Sequence, residues 1–143
     1  MKLPDVNLLL YALDKDSPHH AQAKPWLEEA LSGTEPIGFA WNVLLAFIRI
    51  STRPRIFQNP IEPSEAFAIV EEWLAKPNVV VLHPTERHLG ILRGLIEPVG
   101  TAGNLTSDAH LAALAIEHGA ELCSADSDFG RFPGIRWNNP LQS

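Results

Sequence analysis

Apolar positions along the chain follow two rhythms. Short runs rich in Leu, Ile and Val, namely Leu3 to Val6, Ile37 to Phe39, Val79 to Leu82, Glu121 to Ser124 and Ile135 to Trp137, predict strands. Between them lie longer stretches whose apolar residues recur every three or four positions, the spacing of one helix face. These predict helices over Asn7 to Leu13, Asn42 to Thr52 (ended by Pro54) and Ser64 to Ala75 (stopped by Pro77). Ser17 and Pro18 read as the start of another, with Ala21, Trp26, Leu27, Ala30 and Leu31 as its apolar stripe and Gly33 as its end. Thr85 is a cap for a helix to Glu97, and Thr106 or Ser107 caps one that runs to Gly119.

Strands alternating with helices predict the α/β class, a parallel sheet flanked by helices and joined by right-handed crossovers. Functional groups in such sheets gather at the carboxyl ends of the strands, where the outgoing loops line a common crevice. The 143 residues fit one domain, 1–143, and exclude two full ones. No apolar run approaches the roughly 18 residues of a membrane helix, and the start, MKLPDVNLLLYALDKD, is too acidic and its apolar part too short for a secretory signal. The single cysteine, Cys123, excludes an internal disulfide and falls inside a strand as an inert core thiol, so a cytoplasmic protein without membrane partners is expected.

Six aspartates are present, and four of them fall at strand ends or helix starts: Asp5, Asp108, Asp126 and Asp128. Each has a structural reading. Asp5 is a good helix cap, Asp108 complements a helix dipole, and Asp126-Ser127-Asp128 makes a turn. Asp108, however, heads an inward stripe of Leu111, Ala112, Ala115 and Ile116, where a solvated surface charge is out of place. Carboxylates converging on one edge repel unless a cation or proton intervenes. Oxygen donors without an organised His or Cys set suit a hard ion, Mg²⁺ or Mn²⁺. The net charge of −6 argues against nucleic acid, but Arg49, Arg53 and Arg55 are clustered and a bound cation would offset part of the acidity. Arg49 and Arg53, four apart, are candidate phosphate contacts or plain surface residues.

Other chemistries lack their residues. The six histidines form no zinc pattern and read as surface or packing groups, and neither a phosphate-binding loop nor a dinucleotide fingerprint is present.

Three segments, LPDVNLLLYA, WNVLLAFIRISTRPRIF and GNLTSDAHLAALAIEHGAELCSADSDFGRFPGIRWNNP, resemble the PIN-domain ribonucleases, in particular the VapC-type toxins of toxin–antitoxin pairs. The resemblance runs nearly end to end and implies a three-layer PIN-like fold. It implies that Asp5 and Asp108 bind the metal, that Asp126 completes the site and that Asp128 is a fourth carboxylate. Asn7 matches a small polar residue that orients the first aspartate, and Thr106 or Ser124 is placed to hydrogen-bond within the pocket. One departure stands out: many PIN domains carry a glutamate three residues before an arginine in the middle helix, where Ala46 precedes Arg49 here. That leaves open how many metal ions are held.

The expected activity is Mg²⁺- or Mn²⁺-dependent endonucleolytic cleavage of RNA, since a bound cation activates water and offsets phosphate charge. The resemblance also implies inhibition by a cognate VapB-type antitoxin and a homodimer, for which Phe39, Trp41, Phe47, Phe57 and Trp73 are interface or core candidates. The alternatives are a catalytically weak PIN-like RNA- or protein-binding module, supported by Ala46, and a DNA nuclease or phosphatase using the same carboxylates.

Overall fold

The computed structural model describes residues 1–100 and 103–142. Five strands, β1 (Lys2–Pro4), β2 (Ile37–Ala40), β3 (Val79–Leu82), β4 (Glu121–Cys123) and β5 (Arg136–Asn138), form one parallel sheet in the order β3-β2-β1-β4-β5. Six helices flank it: α1 (Val6–Leu13), α2 (His20–Ser32), α3 (Trp41–Ser51), α4 (Pro63–Leu74), α5 (His88–Ile96) and α6 (Thr106–His118). The expected α/β class and parallel sheet are present.

The strand order carries the functional logic. The chain builds outward from β1 through β2 to β3, then returns to the other side of β1 for β4 and β5. The direction of winding therefore reverses between β1 and β4, and a crevice opens beyond the carboxyl ends of strands at such a point.

Packing holds this edge in place. Leu3, Ile37, Phe39 and Leu122, from three neighbouring strands, are fully or almost fully buried, and each contributes about 1.5–3 kcal/mol by leaving water. Trp73 of α4 stacks on Phe39 of β2 at 5.6 Å between ring centres and tilts against Phe47 of α3 at 4.8 Å. α1 packs on α2 and α3, and α3 on α4, while α5 and α6 pair with each other. Among the aromatic candidates, Phe39, Phe47, Phe57 and Trp73 are core residues, whereas Trp41 is 46% exposed.

Local chemistry moved several boundaries. Ser17 opens a turn, not a helix: its hydroxyl accepts from the His19 N–H at 3.1 Å, and α2 starts at His20. The buried stripe of α2 is consequently Ala23, Leu27 and Leu31, with Ala21 exposed. β1 stops at Pro4, because Asp5 is already the cap of α1. Thr85 is not the cap residue, because α5 starts at His88 with Arg87 at the cap position; the Thr85 hydroxyl accepts from the Arg87 N–H at 3.2 Å in the turn before it, and its N–H and hydroxyl donate to Glu117 Oε1 at 2.7 and 2.5 Å. That glutamate of α6 also binds His88 Nδ1, and His88 Nε2 meets His110 Nδ1 at 2.9 Å. Two of the six histidines thus clasp α5 to α6.

Gly38 of β2 is required by its neighbour. A Cβ there would lie 2.6 Å from Leu82 Cδ1 and 2.8 Å from its Cγ, across the β2–β3 pairing. Gly38→Ala is expected to lower stability by about 1–3 kcal/mol, measured as a fall in the urea midpoint at unchanged slope.

Candidate active site

β1 and β4 are neighbours at the switch point, in a register that sets Pro4 against Cys123. Asp5 and Ser124 therefore leave the sheet side by side, and the Asp5 N–H donates to Cys123 O at 2.8 Å. Asp5 Oδ1 caps α1 by accepting from the Val6 N–H at 2.8 Å. Its Oδ2 accepts from the Ser124 hydroxyl at 2.7 Å. The cap reading and the site reading of this residue describe two oxygens of one carboxylate.

Ser124 is fully buried. Its hydroxyl donates to Asp5 and accepts from Asn7 Nδ2 at 3.2 Å and from the Asp126 N–H at 3.0 Å, which uses its one proton and both lone pairs. Asn7 Oδ1 accepts in turn from the Ala125 N–H at 3.4 Å, and Trp137 Nε1 of β5 donates to Ser124 O at 3.0 Å. Asn7 thus reaches Asp5 through Ser124 instead of touching it.

Asp126 caps the short 3₁₀ helix Ser127–Arg131, its Oδ1 accepting from the Asp128 N–H at 2.9 Å. Asp128 sits at the rim, where its carboxylate pairs with Arg131 at 3.5 Å. The remaining aspartates, Asp14 and Asp16, belong to the turn after α1 and accept from Asn59 Nδ2.

Asp108 occupies the first turn of α6, across a cleft of about 430 Å³ from Asp5. Burial, and then the negative charges of Asp5, Asp126 and Asp128, push its carboxyl from 3.8 up to about 6. Asp5 is also raised, by burial first, with the bonds from Ser124 and Val6 pulling the other way and Asp126 adding repulsion. Four carboxylates from three segments therefore feel one another. As they lie, no three His, Cys, Asp or Glu side chains among the described residues enclose a position for an ion.

Asn42, Ala46, Arg49 and Ser107 line the same cleft. Asn42 Oδ1 is buried and has no hydrogen-bond partner among the described residues. The donor set fits a hard divalent cation such as Mg²⁺ or Mn²⁺: every group is an oxygen, the carboxylates are mutually destabilised, and an amide oxygen is spare. Cys123 is not part of it, since burial, and then the nearby Glu121, push its thiol up to about 12.

Two of the expected site residues lie elsewhere. Thr106 is exposed and its hydroxyl donates back to Gly103 O at 3.0 Å, away from the carboxylates. Arg53 is not on the helix with Arg49, because α3 ends at Ser51; it lines a separate hollow with Pro54, Arg55 and Ile56. Asn42 and Ser107 were missed by the sequence reading. Asn42, Ala46 and Arg49 recur at spacings of four and three, so the helical period carried the signal that they share a face.

A family model described as PIN domain matches residues 2–135. The chain belongs to the PIN domain family. Ribonuclease VapC37 of Mycobacterium tuberculosis is 50% identical over 140 residues, covering 98% of this chain and 97% of that protein. Ribonuclease VapC33 of the same organism is 43% identical over 142 residues, 99% of both chains. Among solved structures, VapBC2 from Rickettsia felis bound to a promoter DNA fragment matches with a TM-score of 0.70 at 16% identity, over 96% of this chain and 97% of that one. VapC20 of Mycobacterium tuberculosis, described as a sarcin-ricin loop cleaving toxin, matches with a TM-score of 0.65 at 18% identity, over 95% and 99%. These two share the fold of this PIN domain.

The node and the charge cluster of this PIN domain can be tested separately. Ser124→Ala leaves Asp5 Oδ2, Asn7 Nδ2 and the Asp126 N–H without their partner; the expected loss is about 1–3 kcal/mol in urea unfolding. Asp108 binds its proton more tightly when folded (about 6) than its ordinary value of 3.8, so protonation favours the folded chain. That contribution is complete below about 3.8 and is lost as the pH rises through about 6. Metal-free wild type should therefore lose thermal stability relative to Asp108→Asn across this window, and parallel pH profiles of the two proteins would remove the charge-crowding account.

Proposed function

We infer that this PIN domain is the toxin of a toxin–antitoxin pair, an Mg²⁺- or Mn²⁺-dependent endoribonuclease that acts in the cytoplasm as one domain over 1–143. The observation that carries the reading is that Asp5 and Asp108 line one cleft at the switch point, within reach of the charge of Asp126, in a chain half identical to a ribonuclease over its length.

Asp5, Asp108 and Asp126 would hold the ion. When bound, a divalent cation lowers the pKa of water and offsets charge on a phosphate. Ser124 and Asn7 keep Asp5 in one orientation, with its cap bond to Val6 fixing the other oxygen. Asp108 is exposed enough to exchange its proton near neutral pH and so to become the anion that the site needs. Arg49, on the far wall of the cleft, supplies a positive charge for the RNA backbone. Asp128 stays at the rim, where its pairing with Arg131 makes it an orienting group for water or a looser second ion.

An acidic cleft favours a basic, arginine-bearing segment of the cognate VapB-type antitoxin, which would cover the same carboxylates that RNA approaches. The exposed Trp41 and Leu45, one turn apart on α3, offer an apolar stripe for a homodimer contact. Ala46 brings only a methyl group to the cleft and favours the second reading, a binding module of weak activity.

The test is incubation of the antitoxin-free protein with total cellular RNA in Mg²⁺ or Mn²⁺. Discrete fragments are expected, abolished by EDTA and reduced at least about 100-fold in folded Asp108→Ala, since even groups that only support a metal ligand cost 10–100-fold. Intact RNA with metal-loaded protein would leave the binding module, and cutting by Asp108→Ala at the wild-type rate would sink the site assignment.

A further inference from the structure

Three buried side-chain oxygens have no hydrogen-bond partner among the described residues: Asn42 Oδ1, Ser51 Oγ and Asn78 Oδ1. Asn78 is accounted for, because its amide nitrogen is pinned between Ala30 O and Glu35 O, both at 3.0 Å. Ser51 closes α3 away from the cleft. Asn42 alone of the three lines the acidic cleft with Asp5 and Asp108. That oxygen makes no hydrogen bond among the described residues where it lies, so turning it toward the cleft gives up none.

We propose that Asn42 is an oxygen ligand of the divalent cation held by Asp5 and Asp108, turning its Oδ1 into the cleft when the ion is present. This rests on the metal-site reading above. The terminal torsion of asparagine is broad and two-fold, so the oxygen and the NH₂ group exchange places by a half turn at low cost. Bare carboxylates across the cleft favour the NH₂ group; a cation between them favours the oxygen. Amide oxygens are ordinary ligands of hard divalent ions. Ala46, one turn along the same face, supplies no donor.

The test uses the full chain freed of metal and antitoxin, with Mn²⁺ binding followed by electron paramagnetic resonance. Asn42→Ala is expected to weaken Mn²⁺ about tenfold, and Asn42→Asp to restore or exceed the wild-type affinity. In ¹⁵N-labelled wild type, the Asn42 side-chain NH₂ signals are expected to move as Mg²⁺ saturates, a readout that needs no variant. Unchanged affinity in Asn42→Ala, or NH₂ signals that stay still at saturation, overturns the assignment of Asn42 alone, provided Asp108→Asn loses Mn²⁺. Wild type that binds no Mn²⁺ overturns this inference and the metal-site reading together.

Discussion

Carboxylates brought to one sheet edge push one another apart, and everything at this end of the molecule is arranged against that repulsion. The opposing device is a single buried hydroxyl. Ser124 stands at the end of β4, beside Asp5 at the end of β1, and its three hydrogen bonds tie Asp5, Asn7 and the Asp126 backbone to one point. Strand pairing sets the position of that point, because the backbone bond from Asp5 to Cys123 fixes the register before any side chain takes part. The sheet thus supplies placement, and the hydroxyl supplies orientation.

Asp108 is held differently. Among the described residues, no hydrogen bond from the β1–β4 edge reaches it; it comes in on α6, whose buried Ala and Leu residues hold the helix against the core. Its charge is therefore the least compensated, and its carboxyl is the one raised to about 6. Both carboxylates of the cleft are thus raised, Asp5 against the pull of its hydrogen bonds from Ser124 and Val6 and Asp108 by burial and neighbouring charge alone.

The strand-end aspartates were legible in the sequence because their surroundings are local. Short β-branched or leucine-rich runs ended by Pro, Gly or Asp predict where a strand stops, and Asp5, Asp126 and Asp108 follow from those stops and from one helix start. What misled was competition among polar side chains that only tertiary contact decides. Thr85 looks like a helix cap, but it belongs to the turn ahead of α5, where its hydroxyl accepts from Arg87 and donates to Glu117 of another helix. Arg53 looks like a partner of Arg49, yet the chain leaves α3 at Ser51, three residues before Pro54 forces it to. Thr106 and Ser124 read alike as pocket hydroxyls, and only the return of β4 beside β1 separates them. Asn42 passed unnoticed because a polar residue near a helix start reads as a local capping group, and nothing in the sequence says which wall of the sheet edge it faces.

Cys123 lies fully buried in β4 and has a thiol held far above the range in which thiolates form at neutral pH. The native chain is accordingly silent toward maleimides and spin labels. A cysteine introduced at a position such as Leu89, 77% exposed on α5, becomes the single addressable thiol of the molecule. Dyes or paramagnetic tags can then be attached site by site with no need to remove the native sulfur from the core.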